Sequence, residues 1–271
     1  MISDRKITTK EKLVGMLDST LIPSLNGVEL QKNSVIDFQR RLASKTPNIA
    51  ELYHENSKLS QHLDKCILTD EETVKYVKNW YLSTTCKISE EDLVKGKSED
   101  SLKDIGTFPE GLANSLGTLK GGIELDLLYS LDLLLLYEYR IYRYVPLSEL
   151  LWLERLVDSD EAKTLKPMLI GETRDSIDEA LGLIFVIGCP WRNMIFYGPR
   201  GYRNMLINAG YLIHHLSHVA RDNELSLVVF QNFYDRKIDN FLNLDGVERF
   251  ALAVIAVLCN NAEEPQNEPE R

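Results

Sequence analysis

Past Phe108, the apolar residues of this chain come in short dense runs closed by Gly, Pro, Asn or Asp, with longer amphipathic stretches between several of them. A bounded apolar run of roughly four to eight residues is the length of a buried strand, while recurrence every three to four residues marks a helix face. On this basis strands are predicted at Ile123–Leu128, Leu133–Tyr139, Ile141–Val145, Leu181–Gly188, Leu225–Phe230 and Phe250–Leu258. Helices are predicted over 147–156, after Pro146, over Tyr202–Ala220 and over Asp235–Leu242. Tyr137 with Tyr139, and Tyr142 with Tyr144, are spaced by two and are expected to share a strand face within each pair.

The N-terminal part reads differently. An amphipathic helix is predicted over residues 10–18, a second from a Ser34 cap to about residue 43, and a third over 48–63 behind Pro47. Lys87–Gly106 is highly charged with scattered aliphatics and no aromatic, and reads as a loop or seam. The residues NNAEEPQNEPER at the end are polar and acidic, and read as a disordered tail. The expected organisation is a helical region over 1–106, a core over 107–259 and a tail over 260–271. Strands alternating with helices behind a helical segment define an α+β class.

Composition narrows the function. With 31 Lys and Arg against 41 Asp and Glu, the net charge is -10. A nucleic-acid binder draws affinity from a basic face, so no nucleic-acid partner is expected. The greasiest stretch, Leu125–Tyr139, is broken by Asp126, Asp132 and Glu138 and is shorter than the ~20 residues of a membrane helix. The first residues, MISDRKITTKEK, carry no apolar signal core, and Cys66, Cys86, Cys189 and Cys259 show no CxxC spacing. A cytoplasmic protein with reduced thiols is expected.

Phosphate loops, dinucleotide fingerprints, nucleophile elbows and HExxH are absent from the sequence. One regional feature remains. Ala180 to Arg221 contains no Asp or Glu, yet it holds Arg192, Arg200, Arg203 and Arg221 with His214, His215 and His218. Such a window reads either as an anion site at the Gly198-Pro199-Arg200-Gly201 turn or as a buried strand and helix that exclude carboxylates. His214 and His218 are four apart on one helix face, a spacing that suits two metal ligands, but no third ligand lies near and packing or interface roles are expected. Cys189, beside Trp191 and Arg192, reads as a buried structural thiol, with a low-pKa thiol as the alternative.

The segment Tyr197-Gly-Pro-Arg200-Gly-Tyr202-Arg203, followed by Leu206, Asn208, Ala209 and Gly210, resembles the K-Y-x-x-R-G-Y-R hallmark of the SagB-type (McbC-like) azoline-oxidase branch of the nitroreductase family. The downstream order, with Phe233-Tyr234-Asp235, Leu242–Gly246 and a closing apolar strand, is similar too. Tyr53–Lys58 resembles the family's YHExSK-like element, and Ile141–Pro146 its xYxYxP strand. The likeness is loose over residues 50–258 and closer over 180–258.

The resemblance implies a nitroreductase-like α+β fold, a central mostly antiparallel sheet flanked by helices, and an intertwined dimer with FMN at its interface. It implies azoline-to-azole oxidation of a ribosomally made precursor peptide, beside a cyclodehydratase. Tyr197 would be the catalytic acid–base, and Arg200 and Arg203 would lie near the flavin or its phosphate. Ser115 and Gly117 would be the survivors of a PSxGALYP flavin-binding stretch, here Asn114–Lys120. The departures are specific. Phe196 stands where the family has its catalytic Lys, the RRSxR-like basic segment has no counterpart, and Gln231-Asn232 replaces a Gly-rich turn. These departures imply the alternative: a catalytically reduced subunit that pairs with an active nitroreductase-like subunit or a cyclodehydratase. No metal is expected.

Overall fold

The computed structural model describes Tyr53, Ser57 and residues 71–94, 102–120 and 127–259. The chain divides into two compact units, Met1–Lys58 and Leu59–Arg271. In the first, the Ser57 N–H donates to the Tyr53 carbonyl at 2.9 Å; the elements that follow all belong to the second. The helices predicted over 10–18 and 34–43, that over 48–63 apart from Tyr53 and Ser57, and the 260–271 tail lie outside the described residues.

The second unit opens with helix α1 (Glu71–Val94), strand β1 (Leu102–Asp104) and helix α2 (Glu110–Gly117). There follow β2 (Leu131–Tyr137), β3 (Arg140–Val145), β4 (Leu150–Leu156) and α3 (Ser159–Lys163). The chain continues through β5 (Gly182–Gly188), α4 (Pro190–Tyr197), α5 (Arg200–Asp222), β6 (Leu225–Phe230), α6 (Asp235–Phe241) and β7 (Phe250–Cys259). The strands form one seven-stranded sheet in the order β1-β4-β3-β2-β5-β7-β6, with every neighbouring pair antiparallel.

The central strands are apolar on both faces because helices or loops cover both. Leu133, Leu135, Ile184, Val186, Ala253 and Ile255 point to the face packed by α2 and α5. Their alternates Leu134, Leu136, Phe185, Ile187, Val254 and Ala256 point to the other, under α6 and Leu165–Leu169. This period of two explains why β5 is buried along its whole length. Helix α5 buries Gly201, Met205, Ala209, Leu212, Leu216 and Ala220 along one stripe, the helical period that the sequence shows.

The fold class is as expected, and the strands at Ile141–Val145, Leu181–Gly188, Leu225–Phe230 and Phe250–Leu258 agree within two residues. Three local expectations are corrected. Of residues 147–156, predicted helical, Leu150–Leu156 form β4 and 147–149 a turn. A bulge places Glu154 between Leu153, opposite Tyr142, and Arg155, opposite Ile141; the helix-like spacing comes earlier, from Leu147 in the turn and from Leu150 and Leu151, which are buried in different clusters at the start of the strand. Lys87–Val94 is helical, the last part of α1, and not loop. Of the strand predicted at Ile123–Leu128, the described Leu127 and Leu128 form a helical turn. Tyr142 and Tyr144 do share a face. Tyr139 instead sits in the β2–β3 turn at φ 61, after Glu138 at φ 46, so it leaves the face of Tyr137.

Candidate functional site

The resemblance-bearing residues sit at the corner between α4 and α5. Strand β5 ends at Gly188, and Pro190 opens α4 at a position where its missing N–H is harmless and its fixed φ is already helical. Gly198 ends α4 at φ 54, with its N–H bonded to the Met194 carbonyl at 2.8 Å. Two residues later α5 starts. Gly201 packs so tightly on α4 that a Cβ would lie 2.5 Å from the Asn193 carbonyl carbon and the Met194 nitrogen. A glycine in the first turn is therefore a steric requirement of the corner.

This corner gathers Tyr197, the last residue of α4, with Arg200 and Arg203, one turn apart at the start of α5. All three are half-buried. The first turn of α5 has no acidic residue and no side-chain cap, so two guanidiniums stand at the positive end of a long helix dipole. That donor set suits a phosphate or another compact anion.

Ser115 and Gly117 are not part of this corner within one chain. Helix α2 lies along the other end of α5: Asn114 donates to Asn223 at 3.0 Å, and the Thr118 hydroxyl lies 3.1 Å from His215 Nε2. From Arg200 to His215 the helix rises about 22 Å. Ser115 is buried and donates its hydroxyl to the Gly111 carbonyl of its own helix at 2.7 Å.

Phe196 has a clear structural reason. Its ring is buried with Val74 of α1 and Tyr129, and Tyr197 packs against the same cluster. The rings of Tyr81, Tyr129, Phe196 and Tyr197 follow one another at centroid separations of 5.5, 6.1 and 6.1 Å. An ammonium group at position 196 would be desolvated among these rings.

A charged cluster beneath that row escapes the sequence reading. Asp132, inside the leucine strand β2, is almost fully buried, and Arg192 of α4 grips it with two hydrogen bonds of 2.6 and 3.2 Å. Arg249 Nη2 lies 3.2 Å from the same carboxylate, and the Cys189 thiol donates to it at 3.6 Å. Arg192 also lies over the Tyr81 ring at 5.1 Å. Burial pushes the Asp132 carboxyl up, but Arg192, Arg143 and Arg249 together hold it below the ordinary carboxylate range. Burial, with Asp132 beside it, pushes the Cys189 thiol up to about 12, so the low-pKa alternative for Cys189 is overturned and the thiol is structural. Burial also raises the Tyr81 and Tyr129 phenols, with Arg192 pulling the other way. The signal for this cluster was an aspartate interrupting an otherwise aliphatic strand and an arginine just past the next one.

His214 and His218 are exposed on α5, and His218 faces Asp222 of its own helix at 3.3 Å. Among the described residues no group of three or more His, Cys, Asp or Glu converges on a point, and no helix is long and apolar enough to cross a membrane.

No protein-family model matches this chain, and no curated protein matches it either. Solved structures do. A putative nitroreductase from Anabaena variabilis superposes with a TM-score of 0.56 at 15% identity, over 78% of this chain and 46% of that one. The chain has a nitroreductase-like fold. Other nitroreductase-like neighbours include the E. coli microcin synthetase McbBCD complex with truncated pro-peptide bound (TM-score 0.41, 20% identity, 48% of this chain, 52% of that). An FMN-dependent nitroreductase from Clostridium difficile matches with a TM-score of 0.40 at 12% identity, over 62% of this chain and 86% of that one. The chain spans about half the length of the first two solved chains. In the nitroreductase-like fold of this chain, the Tyr197–Arg203 corner closes one end of α5, a 23-residue helix packed on the sheet.

Proposed function

We propose that this chain is an FMN-dependent oxidoreductase that oxidises azoline rings to azoles in a ribosomally made peptide. The observation that carries the reading is the α4–α5 corner, where Tyr197 stands next to Arg200 and Arg203. The two guanidiniums would hold the flavin phosphate through charge-assisted hydrogen bonds. FMN, when bound, supplies the acceptor for a hydride. The Tyr197 hydroxyl is the group of this chain that would hold or pass the proton that leaves the ring, a role open to a positioned tyrosine. Ser115 and Gly117 lie about 22 Å along α5 from this corner. They would serve a flavin only across a dimer, as the resemblance implies for the family.

A second reading rests on a different observation. Phe196 is packed into an apolar cluster, so this chain offers a tyrosine without the lysine of the family pair. It would then be a catalytically reduced subunit completing a site with an active nitroreductase-like subunit or a cyclodehydratase. Trp191, Ile195, Ile207 and Tyr211 are exposed on α4 and α5, an apolar surface that supports pairing with a second chain, identical or not.

The test is the visible absorption of the purified chain titrated with FMN, alone and with its genomic neighbours. Saturable flavin bands in the lone chain, lost about tenfold or more in affinity in Arg200→Ala, support the oxidase. A chain that stays colourless at every flavin concentration overturns it, and colour arising only with a partner selects the subunit reading.

A further inference from the structure

We propose that the outer edge of β6 takes an uncharged, Ser/Thr-rich stretch of the peptide substrate as an eighth strand of the sheet, held by its main chain. The inference rests on the oxidase reading, which supplies the peptide.

The two edges of the sheet are built differently. At one, β1 is three residues long and carries Lys103 and Asp104. The part of β4 that β1 leaves uncovered carries Glu154 and Arg155 with the bulge. Short strands, charges and bulges keep an edge from pairing with another chain. At the other edge, β6 (Leu-Ser-Leu-Val-Val-Phe) has no charge and no proline, and its register on β7 is unshifted from Leu225 to Phe230. In an antiparallel ladder, alternate residues turn N–H and C=O away from the partner strand. Outside the β7 ladder, Leu225–Phe230 makes no hydrogen bond among the described residues, so these groups form an open row.

The flanking side chains set the chemistry of the occupant. Leu227 and Val229 are half-buried on the α5 face, and Val228 on the opposite one. A strand laid beside β6 would place its own side chains next to these on both faces. Charged residues would lose hydration against apolar neighbours. Small uncharged Ser, Thr and Cys, from which azoline rings form, would fit, and Thr favours the extended conformation. The chain's own residues 260–271 hold two prolines and no β-branched or aromatic side chain, a composition that disfavours a strand.

Direction ties this edge to the proposed site. β5 and β6 are both antiparallel to β7 and so point the same way. The end of β5 leads into α4, so β6 points to the end of the sheet that holds the α4–α5 corner. There Tyr202, in the first turn of α5, stacks on Phe250, the first residue of β7, with centroids 6.2 Å apart. Phe230 lies opposite Val254, four residues further along β7. A peptide would cover about 20 Å along β6 and need about 13 Å more to reach Phe250, about ten extended residues in all.

The probe is the capped decapeptide acetyl-(Thr-Ser)5-amide, titrated into the flavin-free full chain and followed by hydrogen exchange with peptide mass mapping. Saturable slowing of exchange by about tenfold within Leu225–Phe230, with β1 and β4 unchanged, is expected, at a dissociation constant on the order of 0.1–1 mM. The same peptide N-methylated at its four central residues loses the donors of both its edges and should bind at least tenfold more weakly, as should acetyl-(Lys-Glu)5-amide. Unchanged exchange in β6 up to about 10 mM peptide, or equal binding of the N-methylated peptide, would overturn the proposal. So would protection of β6 in the free chain together with a doubled mass, which would assign the edge to a second copy. No flavin is present, so failure here leaves the flavin titration to decide the oxidase reading by itself.

Discussion

Asp132→Ala tests the physics of the buried cluster directly. The carboxylate side chain is 11% exposed and that of Arg192 22%, so solvent screens the pair only slightly. Removing the aspartate does not return Arg192 to water. It leaves a guanidinium fixed under Tyr81 with Nη2 stripped of its Asp132 bond and Nη1 holding only a long one to the Tyr129 carbonyl at 3.4 Å, near Arg249 and Arg143 and without the carboxylate that compensated them. Breaking a buried pair this way costs about 3–5 kcal/mol. At roughly 3 °C per kcal/mol for a unit of this size, the midpoint of thermal unfolding should fall by about 10 °C. Asp132→Leu combined with Arg192→Met, which removes both charges at near-constant volume, should recover much of that loss. The pH dependence follows from the direction of the shift. The Asp132 carboxyl is held below its ordinary value in the folded chain, so its stabilisation is fully present above the unfolded carboxylate value, about 3.9, and is lost as pH falls through the folded value. Urea unfolding of wild type and Asp132→Ala at pH 7 and near pH 3 should therefore show a gap that narrows in acid. A loss below about 1 kcal/mol at pH 7, or a gap that widens in acid, would refute the reasoning.

Three further outcomes follow from local geometry. Gly201→Ala should destabilise by about 2–4 kcal/mol, because the added methyl meets the α4 backbone at 2.5 Å and backbone cannot yield as a side chain does; thermal melts measure it, and flavin affinity, if the chain binds flavin, should fall with it. Replacing Glu138-Tyr139 by Asn-Gly should stabilise by about 1 kcal/mol, since both turn residues have positive φ and Asn-Gly is the preferred pair for such a hairpin. At pH 8 a thiol reagent should modify exposed Cys259 quickly and leave buried Cys86 and Cys189 intact, with Cys189 further protected by its high pKa; peptide mass mapping reads this out.

Where one physical rule acts alone, the sequence made the fold legible. Strand β5 follows from an unbroken apolar run between Leu181 and Gly188, and α5 from a clean stripe running from Met205 to Ala220. Where two rules compete, local pattern misled. At the start of β4, Leu150 and Leu151 are buried in different clusters and follow Leu147 of the turn, so the leucines fall at helical intervals, and only pairing with β3 determines the strand. The site divides in the same way. Tyr197, Arg200 and Arg203 are close in sequence and were found together because a turn and a helix start keep neighbours near each other. Asp132 and Arg192 are sixty residues apart, and their meeting depends on β2 and β5 being antiparallel neighbours, with Leu131 opposite Gly188. That register puts the start of one strand beside the end of the other, and so beside the first turn of α4. The carboxylate that Arg192 needs is supplied from β2, a distant strand. Arg200 and Arg203 lie instead in the first turn of α5, which holds no acidic residue.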